Sequence, residues 1–95
     1  MVRRIDEEKV KRIADYYGWS SQLRQLAEEC SELSVESLHY IREGRGIERI
    51  SEEMADVLIM IQQIIYLLKN DTEKLEKYAD FKLDRQLGRI EREQK

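Results

Sequence analysis

The stretch "MADVLIMIQQIIYLL" (Met54 to Leu68) is apolar almost all the way round a helical projection. A helix of that kind has to be covered on most of its sides. The chain has 95 residues, near the lower end of what can bury a sizeable core alone. One copy can hardly supply the whole cover. The pattern therefore predicts an all-α domain that assembles as a homo-oligomer, with this helix at or near the subunit interface.

The rest of the chain fits that reading. There is no proline, and only four glycines punctuate it. The β-branched runs and frequent turn residues of a sheet protein are missing. Breaks at "YYGWSS", "REGRGIE" and "KNDTE" leave four helical segments in a single domain spanning residues 1–95. The first covers about Asp6 to Tyr17, with Val10, Ile13, Ala14 and Tyr17 at helical spacing. The second starts after a Ser20 or Ser21 cap and runs to about Glu43. Its stripe is Leu23, Leu26, Cys30, Leu33, Leu38 and Ile41. The third runs from Glu48 or Ser51 to Lys69 and closes at Asn70. The fourth follows an Asp71 or Thr72 cap and reaches about Glu93, with Leu75, Ala79, Leu83, Leu87 and Ile90 as its expected buried side.

Composition excludes several partners. Net charge is −3, so no global field draws the chain to nucleic acid or anionic lipid. The run "VLIMI" is far too short to span a bilayer. The start "MVRRIDEEKV" has no apolar signal-peptide core, so a cytoplasmic location is the expectation. Cys30 is the sole cysteine, so an intrachain disulfide and a CxxC metal site are both out. It reads as a small core residue.

Against this background the acids stand out. Glu28, Glu29, Glu32 and Glu36 crowd neighbouring turns with no lysine or arginine among them. Like charges three or four residues apart on a helix repel by a few tenths of a kcal/mol per pair, about the size of one favourable pair. On the third helix, Glu53 and Asp56 continue the strip of Met60, Ile64 and Leu67. Buried carboxylates are normally paired with cations or bound to metal. A short glycine-containing turn packs consecutive helices antiparallel. That pairing would set Glu29 and Glu32 opposite Glu53 and Asp56.

An all-oxygen cage suits Mg²⁺ or Mn²⁺. No histidine or cysteine accompanies the acids at ligand spacing, which counts against zinc. Absent Glu-x-x-His pairs count against a di-iron bundle. Because Mg²⁺ commonly binds through a few carboxylates plus substrate phosphates, the metal points toward nucleotide or phosphate-ester chemistry.

"EECSE" followed, after twenty intervening residues, by "EMAD" has the form EExxE…ExxD. This resembles the signature of MazG-like nucleoside triphosphate pyrophosphohydrolases, the all-α superfamily that includes dimeric dUTPases. "QLRQLAEECSEL", "EEMADVLIMI" and "KLDRQLGRIE" are similar to family text as well, so the resemblance covers about Ser21 to Glu91. It implies a four-helix MazG-like bundle, working as a dimer or a dimer of dimers. The implied reaction is Mg²⁺-dependent hydrolysis of a (deoxy)nucleoside triphosphate to the monophosphate and pyrophosphate, in nucleotide-pool house-cleaning. By the family pattern Glu29, Glu32, Glu53 and Asp56 would be the metal ligands. Glu32 would orient or deprotonate the attacking water, and Glu28 would hold a ligand or a basic side chain.

Lys82 and Arg85 of "KLDRQ" look like the family's late basic pair and would meet phosphate. Arg89 and Arg92 share their face. Arg49 and Gln25, each one turn before an acid, would reach the same phosphates. Asn70 would either end its helix or touch the nucleotide. His39 and Trp19 read as packing residues. The competing expectation is a helical interaction or regulatory protein that keeps the fold without the activity.

Overall fold

The computed structural model describes residues 5–94, apart from the side chain of Asn70. Among these residues there are four α-helices and no strand. They are α1 (Glu7–Tyr17), α2 (Trp19–Glu43), α3 (Ile47–Leu68) and α4 (Thr72–Glu93), with a 3-10 turn at Lys69–Asp71 between the last two.

Local chemistry sets the helix ends. Asp6 caps α1, its carboxylate accepting from the Glu8 and Lys9 amides at 3.0 and 3.2 Å. Glu7 and Glu8 add negative charge to that positive end of the dipole. Gly18, with φ of 81°, ends α1 and starts α2 in a single residue. The second helix thus begins at Trp19, ahead of the serines expected to cap it, and neither serine does so. Gly44 closes α2 in the left-handed conformation, its amide donating to the Tyr40 carbonyl at 2.8 Å. Only glycine takes such an angle without strain.

Helices α1, α2 and α3 pack together, with α2 and α3 antiparallel. The pairing is plain from the side chains: Gln22 meets Gln63, while Glu29 meets Glu53 and Asp56. The buried apolar residues are Val10 and Ala14 of α1 with Met60 and Ile64 of α3. Gln22 and Gln63 are buried between them, and the Gln63 amide donates to the Gln22 carbonyl. Each partner satisfies a group that would cost about 1–3 kcal/mol if left alone. At the α1–α3 seam the Tyr66 hydroxyl donates to the Asp15 carboxylate, 2.9 and 3.0 Å from its two oxygens. That bond and burial hold the Tyr66 hydroxyl above its ordinary pKa.

The fourth helix departs from expectation. Leu75, Ala79, Leu83, Leu87 and Ile90 are all exposed, and α4 has no buried residue. It contacts the 3-10 turn and does not lie along the other three helices. The shape records this: the radius of gyration is 16.2 Å, against roughly 12 Å for a compact chain of this length. The stripe recurs at helical spacing as expected, but among the described residues nothing buries it. The α2 stripe is likewise only partly covered, with Leu26 and Leu33 half-buried and Cys30, Leu38 and Ile41 exposed. Among the described residues no helix is long and apolar enough to cross a membrane.

Candidate metal centre

Two helices build the centre. On α2, Glu29 follows Gln22 and Gln25 by whole turns, which aims it at α3. On α3, Glu53 and Asp56 lie two turns and one turn before Met60, on the strip that faces α2. The antiparallel pairing that joins Gln22 to Gln63 brings Glu29 to their level. One carboxylate oxygen from each of Glu29, Glu53 and Asp56 lies within 4.8 Å of the other two. Three acids from two helices thus converge.

The neighbours leave much of that charge uncompensated. Gln25 donates to Glu29 Oε1 at 2.8 Å. Glu29 Oε2 and Glu53 Oε2 are both buried and have no hydrogen-bond partner among the described residues. Neither acid pairs with a lysine or arginine there; the ion pairs in the region belong to Glu36, which meets Arg49 at 3.7 Å and His39 at 3.9 Å. Asp56 registers the crowding. Burial first, then the negative charge of Glu29 beside it, raise the Asp56 carboxyl above its ordinary pKa. The donor set is all carboxylate oxygen, two of its atoms are buried without a partner, and the ligands come from facing helices. These features fit a hard divalent cation such as Mg²⁺ or Mn²⁺.

The expected site residues divide three ways. Glu29, Glu53 and Asp56 are brought together. Glu32 is exposed one turn farther along α2; it is not one of the three converging acids but shares with Glu53 and Glu36 a depression of about 250 Å³. Glu28 is exposed beside the cluster. Of the two residues expected at phosphate, Gln25 donates to Glu29 and Arg49 faces Glu36. Lys82 and Arg85 lie on the detached α4 and form no ion pair among the described residues; the Arg85 guanidinium stands 6.0 Å from the centre of the Phe81 ring. The side chain of Asn70 is outside the described residues.

Sequence reasoning passed over the buried Gln22–Gln63 pair, which sets the α2–α3 register that the acids depend on. Its only signal was two glutamines at helical spacing among apolar residues, "MIQQII" and "SQLRQL". Comparison with models of protein families, with curated proteins and with solved structures finds no match to this chain.

Proposed function

We propose that the protein is a divalent-cation-dependent hydrolase of (deoxy)nucleoside triphosphates, releasing the monophosphate and pyrophosphate. The observation that carries this reading is the meeting of Glu29, Glu53 and Asp56 within 4.8 Å, with two buried oxygens left without a partner. Glu29, Glu53 and Asp56 would hold Mg²⁺, or Mn²⁺ in its place, and Glu32 would complete the set at its exposed edge. A bound divalent ion supplies an acidified water and neutralises polyphosphate charge. The EExxE…ExxD form and its likeness to MazG-like pyrophosphohydrolases support the choice of a triphosphate.

The chain's own residues have definable tasks. Gln25 holds Oε1 of Glu29, which leaves Oε2 turned toward the cluster. Glu32, exposed beside Glu53, accepts a proton from the attacking water. That water adds to the α-phosphorus as the bond to the bridging oxygen breaks, and pyrophosphate departs with the electron pair. Lys82 and Arg85 neutralise the leaving group, and Glu28 steadies a basic side chain beside the cluster. The working unit is a homo-oligomer, a dimer or a dimer of dimers, a reading supported by the apolar side chains left exposed on α3 and α4.

A panel of nucleotides with Mg²⁺, followed by pyrophosphate release, tests the reading. Turnover that EDTA abolishes and Mg²⁺ restores is expected. No release from any nucleotide would overturn it and favour the second reading, a helical interaction protein, to which the exposed apolar stripe of α4 lends specific support.

A further inference from the structure

The polar side chains along the α2–α3 seam keep one register. Gln22 meets Gln63, Glu29 meets Asp56, Glu32 and Glu53 share a depression, and Glu36 meets Arg49. From Gln22 the α2 members follow at steps of seven, three and four residues; from Gln63 the α3 members recede by the same steps. They are rungs of one antiparallel ladder, and successive acid rungs lie about one turn apart. The first rung pairs two amides, the next two set acid beside acid, and the last sets acid against base. Arg49 is the one cation on the ladder.

Two carboxylates are within reach of that cation. Glu36 lies across the seam, with Arg49 Nη1 3.7 Å from its Oε1 and His39 Nδ1 3.9 Å from its Oε2. Glu53 lies four residues farther along α3, about 6 Å of axial rise, the spacing at which helical side chains touch. Its Oε2 is buried and has no hydrogen-bond partner among the described residues. A buried carboxylate oxygen without a partner strongly attracts a guanidinium. Yet Arg49 pairs with Glu36. The Glu36 side chain is 18% exposed and that of Arg49 69% exposed, so the acid is wedged in the seam while the base has room to swing. Base before acid along a helix is also the weaker order for a pair one turn apart.

We propose that Glu36 is a positioning residue: it holds Arg49 off Glu53 and so keeps the acidic cluster open for a divalent cation. Without Glu36, the guanidinium turns toward the buried oxygen of Glu53 and neutralises the carboxylate that the ion needs. The chain would then fill its own centre. The ion pair at the end of the seam is what leaves Glu53 Oε2 unpaired. What the cluster binds rests on the reading of the function given above; where Arg49 sits does not.

Mn²⁺ titrations of the full chain, read by the electron paramagnetic resonance of the free ion, compare the wild type with Glu36→Gln, Arg49→Gln and the double variant. Glu36→Gln should weaken Mn²⁺ binding about tenfold, the size of effect that loss of an outer partner has at metal sites. Charge counting alone gives Arg49→Gln the same gain in affinity in either background. Holding Arg49 off Glu53 gives a gain below about twofold in the wild type and about tenfold alongside Glu36→Gln, the non-additivity of groups that share a partner. Equal gains in the two backgrounds, or wild-type affinity in Glu36→Gln, overturn the proposal. A second cycle needs no metal. In EDTA, the shifts in urea midpoint caused by Arg49→Gln and Glu53→Gln should add in the wild type and fail to add alongside Glu36→Gln. Additivity in both backgrounds overturns the proposal. If the wild type binds no Mn²⁺ while this coupling appears only without Glu36, the cation reading fails and the holding role of Glu36 stands.

Discussion

The α2–α3 pair and α4 are built from helices of similar length, 25 and 22 residues against 22, and they meet opposite fates. Helix α3 is apolar on nearly every side and gathers α1 and α2 around it, burying Met60, Gln63 and Ile64. Helix α4 has a narrow stripe between charged flanks and buries none of its residues. Where cover is scarce, the helix with the larger apolar circumference takes it, because stabilisation scales with the apolar area removed from water. The difference also separates the charges. Acids are drawn into the packed region on the back of its apolar strips, and the bases of α4 remain outside. The packed region holds the converging acids, and the detached helix holds an apolar stripe left exposed.

The largest expected effect breaks the packed side. Glu53→Gln keeps the shape of the side chain but removes a charge from the centre of the cluster. Turnover should fall by more than about 100-fold, beyond the range seen for outer-shell changes at metal sites, while circular dichroism stays unchanged. Undiminished turnover would show that these acids are not the centre of the chemistry.

Next comes the detached side. Leu83→Asp with Leu87→Asp places two charges on a stripe that is already exposed in the single chain, so folding of α1–α3 should be untouched. Each leucine buried in a partner is worth about 1.5–3 kcal/mol, so the pair should weaken self-association by more than about 100-fold. Sedimentation velocity reads this directly. Unaltered association would place the partner surface elsewhere.

A third change sharpens the contrast within the packed region. Gln63→Leu strands the buried Gln22 carbonyl and should cost about 1–3 kcal/mol in urea unfolding. Adding Gln22→Leu removes the stranded partner and should recover most of that loss. A double variant no more stable than Gln63→Leu alone would mean that the glutamines hold the helices apart by volume and not by their bond.

The two regions also differ in how much of them could be read from the sequence. The four helices and the meeting of Glu29, Glu53 and Asp56 were legible, because the helical period and a short glycine turn leave little freedom in which faces oppose. Glu32 was less so. It lies one turn beyond Glu29 on α2 and is exposed, and periodicity does not tell how far along a helix the facing helix stays in reach. The Ser20 and Ser21 caps failed because Gly18 could end one helix and begin the next, leaving the serines inside α2. The Gln22–Gln63 bond joins residues 41 apart in sequence, and no local pattern reports such a contact. The burial of the α4 stripe failed for a different reason. Periodicity shows that a face wants cover, and it is silent on which molecule provides it.

The smallest effect tests whether the acids are held together at a cost. The Asp56 carboxyl is raised above its ordinary 3.8 in the folded chain, by burial first and then by Glu29. In the unfolded chain it releases its proton near that ordinary value. Between the two, the folded state holds the more protons, so stability falls as pH rises. The contribution is fully present below the unfolded value and is lost as pH climbs through the folded one. Metal-free protein should therefore lose stability over this window relative to Asp56→Asn, which has no proton to release. Melts of the two proteins in EDTA, from pH 4 upward, measure the difference. Mg²⁺ should close the gap at neutral pH by supplying the charge that the cluster lacks. If Asp56→Asn is instead the less stable protein throughout, Asp56 is stabilised by a cation of the chain itself, and the crowding of the acids is not a cost the fold bears for binding.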